Sequence, residues 1–194
     1  MTIINIRGCN GSGKTTLVRK LIRLDPNATK ISIRTFINEA LIYVTHGHLL
    51  PTFQTIVVGP YKDGKATGGM DNVHTTMEAI CVVGNAATRA RNVVFEGVLI
   101  STVWGTWNEI SRKLEKDLGK PITFAFLDTP ADVCVERVKQ RRIAKGRPAE
   151  GFREDQVRGK HAQIARVREK ALAAGQRVVD LDGSLGQLVD LLEM

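Results

Sequence analysis

Residues 8–15 read GCNGSGKT. Gly8, Gly13, Lys14 and Thr15 fill every fixed position of the pattern G-x-x-x-x-G-K-[ST], in which a glycine-rich turn between a strand and a helix wraps phosphate oxygens. Glycines let the chain curl so that successive backbone N–H groups point inward, and the helix that opens at the end of the turn adds its positive dipole end. In this reading Gly8, Asn10, Gly11, Ser12, Gly13 and Thr16 shape the cradle. Lys14 reaches the β- and γ-phosphates of a nucleoside triphosphate, and the Thr15 hydroxyl ligates Mg²⁺. The flanks agree. TIINIR (2–7) is a short β-branched run, and a helical pattern extends from Lys14 to about Arg23.

The rest of the chain alternates in the same way. KISIR (30–34), QTIVVG (54–59), NVVFEGVL (92–99), ITFAFLD (122–128) and QRVVDLD (176–182) read as strands. Helical patterns occupy about 71–91, 104–118, the stretch after Pro130, about 153–174 and the residues from Ser184. Val73, Met77, Ile80, Cys81 and Ala87 are expected on the buried side of the 71–91 helix. Thr129 is the expected cap of the helix after Pro130. Strands apolar on both faces and separated by helices predict a parallel sheet covered on each side. The expected fold is therefore α/β: a three-layer α/β/α domain over 1–194, with a mainly parallel sheet of about five strands and an irregular insertion at about 43–71.

At 194 residues with 43% hydrophobic and 25% charged content, the chain is long enough for one core without staples. No apolar run reaches the roughly 18 residues of a membrane span. Cys9, Cys81 and Cys134 lack metal or disulfide spacing and read as reduced thiols of a cytoplasmic protein. His46 and His48, in THGH, have no third ligand in view and are read as loop residues rather than a metal site. The net charge is +8, and residues 137–170 hold twelve Lys/Arg against four Asp/Glu, which accounts for all of it. Such a one-sided excess suits an anionic partner.

VVFEG places Glu96 at a strand tip beside the phosphate loop, where a carboxylate can hold a metal-bound water or accept a hydroxyl proton. There is no Asn-Lys-x-Asp base-reading motif of the guanine switches.

With these features the chain resembles the small P-loop kinases, the group that includes nucleoside monophosphate, shikimate, gluconate and polynucleotide kinases. GCNGSGKT, VVFEG and FLDTPADVCVERVKQRRIAKGRP carry the resemblance, the last looking like that group's LID (about 137–153). It implies ATP and Mg²⁺, with Arg137 and Arg141 on the nucleotide, Arg142 on the transferring phosphoryl group, and Asp182-Gly183-Ser184 beside the adenine. One departure stands out. Several members place an Asp just past the second strand, but here that strand ends Ile33-Arg34-Thr35. Arg34 would then bind an acceptor phosphate, and the general base falls to Glu96 or Asp71.

The segment GPYKDGKATGGMDNVH (59–74) lies where such kinases take their acceptor. Tyr61 would stack on a base or bond a phosphate, and Lys62 and Lys65 would contact phosphates. Gly68 and Gly69 would allow close backbone approach, and Asp71 would face the site from a helix N-terminus. This Y-x-x-G…G-G-x-D pattern resembles the bacteriophage kinases that phosphorylate 5-hydroxymethylpyrimidines within DNA, which implies a modified base in DNA as acceptor and the host cytoplasm as location. A flipped-out base would find Tyr61, Trp104 or Trp107 to stack on, although the two tryptophans are expected rather in the core or at an interface. A nucleoside monophosphate kinase, a polynucleotide 5′-hydroxyl kinase and a non-catalytic, ATP-gated nucleic-acid-binding protein remain open alternatives.

Overall fold

The computed structural model describes residues 1–37, 40–61, 68–73 and 75–193. Its seven strands are β1 (Ile3–Arg7), β2 (Thr29–Ile37), β3 (Ala40–Leu50), β4 (Thr55–Val58), β5 (Asn92–Glu96), β6 (Ile122–Leu127) and β7 (Arg177–Leu181). Its helices are α1 (Lys14–Leu24), α2 (Thr76–Arg89), α3 (Val98–Thr102), α4 (Gly105–Leu118), α5 (Ala131–Ile143), α6 (Glu154–Ala173) and α7 (Leu185–Glu193). One sheet runs in the order β2-β3-β4-β5-β1-β6-β7. Five strands, β4 to β7 in that order, pair in parallel. The strands β1, β5 and β6 are buried along their whole length. This is why they read as continuous apolar runs rather than alternating ones.

Two apolar layers enclose the sheet. Leu17, Val18 and Leu21 of α1 pack with Leu188 and Leu192 of α7 against Ile4, Ile6 and Val94. On the opposite face, α2, α4, α5 and α6 bury Val82, Trp107, Val135 and Ile164 against Ile3, Phe95 and Phe124. The alternation along β1 sends successive side chains to opposite layers.

The sheet has seven strands rather than about five, in part because residues 43–50, expected to begin an irregular insertion, belong to a strand, β3. β2 and β3 form an antiparallel hairpin, and β3 pairs antiparallel with β4, adding two strands at one edge. His46 and His48 therefore lie on β3 rather than in a loop. The strand expected over 92–99 stops at Glu96, and Val98 and Leu99 open α3 instead. The helix expected from Asp71 begins at Thr76, where the Thr75 hydroxyl accepts the Glu78 amide at 3.0 Å. Asp71 sits in a separate short 3-10 turn, Gly69–Asn72. The buried face of α2 is Ala79, Val82, Val83, Ala86 and Ala87, leaving Met77 exposed. The cap of α5 is Pro130, and the Thr129 hydroxyl donates to Ser12 O at 2.9 Å.

One buried charge braces the start of the phosphate loop. Arg7, the last residue of β1, is fully buried and lies 4.8 Å from the Phe124 ring centroid. Its Nη1 donates to Ser101 O and Val103 O, at 3.3 and 3.0 Å, and its Nε to Asn5 Oδ1. Burial lowers its pKa to about 9, and the carbonyl bonds are what keep a guanidinium tolerable there. Arg7 thereby fixes the end of α3 to β1, one residue before Gly8. Among the described residues, no helix is long and apolar enough to cross a membrane.

Candidate active site

Parallel pairing of β1 with β5 sets Ile6 opposite Glu96, so the loop leaving β1 and the tip of β5 emerge side by side. Ligands of open parallel sheets gather at such carboxyl ends. Gly11 and Gly13 adopt φ of +86° and +100°, which favour glycine. A Cβ on Gly11 would stand 2.4 Å from Cys134 O, because α5 packs directly on the loop. Lys14 is 4% exposed, and its Nζ donates to Gly8 O and Cys9 O at 2.8 and 3.1 Å. Burial lowers its pKa, opposed by the charges of Glu96 and Asp71.

The Thr15 hydroxyl donates to Glu96 Oε1 at 2.8 Å. Glu96 is 1% exposed, and desolvation pushes its pKa up to about 7 against the opposing pull of Lys14 and Thr15. A carboxylate poised there is suited to proton transfer near neutral pH. The Thr15 and Glu96 oxygens are also hard donors of the kind Mg²⁺ takes. Among the described residues, no group of three His, Cys, Asp or Glu forms a metal cluster.

The segment 68–73 packs on this pair. Gly69 has φ +70°, and a Cβ there would stand 2.5 Å from both Glu96 O and Oε1. A Cβ on Gly68 would meet the Tyr61 ring at 2.8 Å and Thr15 Cγ2 at 2.9 Å. The glycines thus let the chain pass between Tyr61 and the Thr15–Glu96 pair. Asp71 does not open α2. Its Oδ1 accepts the amides of Val98 and Leu99, at 2.7 and 3.2 Å, and so caps α3.

Tyr61 is not placed for stacking on a base. It is 5% exposed, packs with Leu17, Val18 and Val57, and meets the His48 ring edge-on at 6.0 Å. Its hydroxyl is buried without a hydrogen bond of ordinary geometry, and burial beside Glu96 raises its pKa well above the phenol range. Trp107 is a core residue, and Trp104 is half-buried against the same core. Trp107 packs against Phe95 at 5.0 Å, and Trp104 against Phe124 at 5.5 Å.

Two cavities meet over the phosphate loop. One, of about 280 Å³, is bordered by Asn10, Lys14, Thr15, Arg19, Gly68, Asp71 and Glu96. The other, of about 450 Å³, reaches from Ser12 to Lys20, Arg137, Asp182 and Gly183. Gly11, Gly13, Thr16 and Arg141 border both. Arg137 Nη1 donates to Gly11 O at 3.2 Å. Arg142 borders neither cavity. Its Nε donates to Pro148 O at 2.6 Å and ties the end of α5 to the following turn. Arg34 also lies elsewhere. It is exposed on β2 at the far edge of the sheet, where its carbonyl accepts Asn85 Nδ2. Lys62 and Lys65 lie outside the described residues. Arg19, which the motif reading passed over, is the fourth residue after Thr15 and hence on its helix face; that spacing was the available signal.

The model of the 5-hmdU DNA kinase family matches residues 2–180. The chain belongs to that family. It is 38% identical over 189 residues to a 5-hmdU DNA kinase of Pseudomonas phage M6, covering 93% of this chain and 91% of the relative. A 5-hmdU DNA kinase of Pseudomonas phage PaMx11 is 34% identical, with 98% and 97% covered. A longer family member from Bacillus phage SP10 is 27% identical over 98% of this chain but only 28% of its own length. The sequence resemblance to the phage DNA kinases is thus borne out, and the family match extends over the phosphate loop, the Glu96 strand and the 59–74 segment alike.

Proposed function

We propose that this protein transfers the γ-phosphoryl group of ATP to the hydroxymethyl oxygen of 5-hydroxymethyldeoxyuridine in DNA. Family membership supports the acceptor. The observation that carries the chemistry is the bond from the Thr15 hydroxyl to Glu96 Oε1, at 2.8 Å, on the cavity wall beside Lys14.

In this reading ATP lies with its nucleoside in the cavity bordered by Asp182 and Gly183 and its phosphates on the glycine-rich loop. Lys14 leaves the loop carbonyls for phosphate oxygens. Thr15 would hold Mg²⁺ through its oxygen lone pair while still donating its proton to Glu96, and the ion would supply charge neutralisation for the phosphates. Glu96 accepts the proton of the acceptor hydroxyl as that oxygen bonds to Pγ. The bond from Pγ to the β–γ bridging oxygen breaks, and ADP leaves with that oxygen. Arg141, bordering both cavities, stabilises charge on the equatorial oxygens, where a guanidinium bonds bidentately. Asp71 acts as a positioning residue, since by capping α3 it fixes the chain that follows Glu96.

The test is transfer of labelled γ-phosphate across a panel of acceptors. Label on DNA containing 5-hydroxymethyldeoxyuridine, and none on the unmodified strand, is the expected result. Label on mononucleotides alone, label on 5′ ends, or DNA binding with no transfer would each overturn the proposal in favour of a different activity.

A further inference from the structure

The helix α5 runs outward from the phosphate loop. Cys134 O faces Gly11, Arg137 Nη1 donates to Gly11 O at 3.2 Å, and Arg141 borders both cavities. Spacings of three and four residues put these positions on one face of the helix. Lys145 follows Arg141 by four residues, about one helical turn farther out, just past the end of α5. There the chain folds back and is held. The amides of Lys145 and Arg147 both donate to Arg142 O at 3.1 Å, and Gly146 takes a φ of +69°. Arg142 Nε closes the turn by donating to Pro148 O at 2.6 Å. Residues 143–148 are all exposed.

We infer that this turn, through Lys145 and Arg147, is the surface on which the substrate DNA docks by its backbone phosphates, outside the reacting nucleotide. This rests on the reading of the protein as a kinase acting on a modified base in DNA. Residues 137–149 carry six Lys/Arg and no Asp or Glu. Since residues 137–170 account for the whole net charge of +8, the rest of the chain is neutral overall, and the excess is placed rather than general. The triphosphate meets Lys14, Arg137 and Arg141 on the cavity walls, whereas Lys145 and Arg147 border neither cavity. The other anion of the reaction is the DNA strand, which carries one charge per nucleotide at a rise of about 3.4 Å. A turn standing about 5 Å beyond Arg141 comes opposite phosphates roughly one or two nucleotides from the point of transfer. Cations on a braced turn contact phosphates whatever the sequence, so they fix register and leave the choice of base to the cavity.

The experiment follows, by fluorescence anisotropy, the affinity for a duplex containing 5-hydroxymethyldeoxyuridine as salt is raised. It compares the wild-type protein with the double variant Lys145→Gln/Arg147→Gln. A control, Arg112→Gln/Lys116→Gln, removes two exposed cations of α4. The turn variant is expected to bind about tenfold or more weakly at low salt, with the slope of log affinity against log salt shallower by about two. Its KM for ATP should change less than about twofold and its kcat at saturating DNA less than about threefold, because the contact positions the strand only. The α4 control should match the wild-type protein. Unchanged DNA affinity and slope in the turn variant, an equal loss in the control, or a raised KM for ATP in place of the loss on DNA each overturns the inference. Wild-type protein that binds the duplex but transfers no label to it overturns the kinase reading instead, so the two failures read out separately.

Discussion

Asp71 Oδ1 accepts the amide of Val98 at 2.7 Å across a separation of 27 residues. The carboxylate that sequence reasoning offered as a general base is thus engaged as a cap on the helix following Glu96. Asparagine also caps well. Asp71→Asn is therefore expected to retain catalysis within a few-fold, whereas Asp71→Ala loses about 1 kcal/mol of stability together with activity. Urea unfolding and steady-state kinetics on the two variants check this, and an inactive but stable Asn variant would return the base to Asp71.

Glu96 carries the opposite trade. Its pKa rises from 4.5 to about 7 in the folded state. Between those values the folded protein binds the proton and the unfolded chain does not, so stability falls as pH climbs through this window and is level above it. Glu96→Gln removes the buried charge and keeps an acceptor for Thr15. It is expected to gain about 1–2 kcal/mol at pH 8, with the gain vanishing below about pH 4.5. Thermal melts of both proteins at the two pH values measure it.

Gly69 is conformationally and sterically constrained. Alanine there adopts φ +70° at a cost of about 1 kcal/mol and brings its Cβ within 2.5 Å of Glu96 Oε1. Gly69→Ala should displace the carboxylate and lower kcat by about tenfold or more while the protein remains folded by circular dichroism.

Adjacent arginines of α5 are expected to separate cleanly. Arg141 borders both cavities, whereas Arg142 is bonded to Pro148 O outside them. Arg141→Ala should reduce kcat about a hundredfold or more, and Arg142→Ala only a few-fold, in the same transfer assay.

The phosphate loop and the Glu96 strand were legible in the sequence because their signals are local: a fixed glycine spacing, and an apolar run ending in an acid. The parallel sheet was legible for the same reason. The hairpin was not. ALIYVTHGHLL contains a glycine and two histidines that look like a loop, and only pairing with β2 and β4 makes it a strand. Val98 and Leu99 continue a β-like run, yet they turn into α3 because Asp71 takes their amides. Tyr61 read as a stacking residue, but its ring fills the space under Gly68, a contact set by packing with α1 and β4. Arg34 read as a site residue because the second strand was expected near the loop, whereas antiparallel pairing carries it to the sheet edge. In each case a contact that the local pattern does not encode decides the outcome.

The central claim is that Glu96 takes the proton from a hydroxymethyl group as phosphate is transferred to it. Its most direct test is the pH dependence of kcat/KM for DNA containing 5-hydroxymethyldeoxyuridine, measured at saturating ATP for the wild-type protein and Glu96→Gln. The account predicts a limb that rises to a plateau as Glu96 ionises, and a loss of about a hundredfold or more in Glu96→Gln with ATP affinity preserved. A profile flat from about pH 5 to 9, or a Gln variant as fast as the wild-type protein, would contradict it.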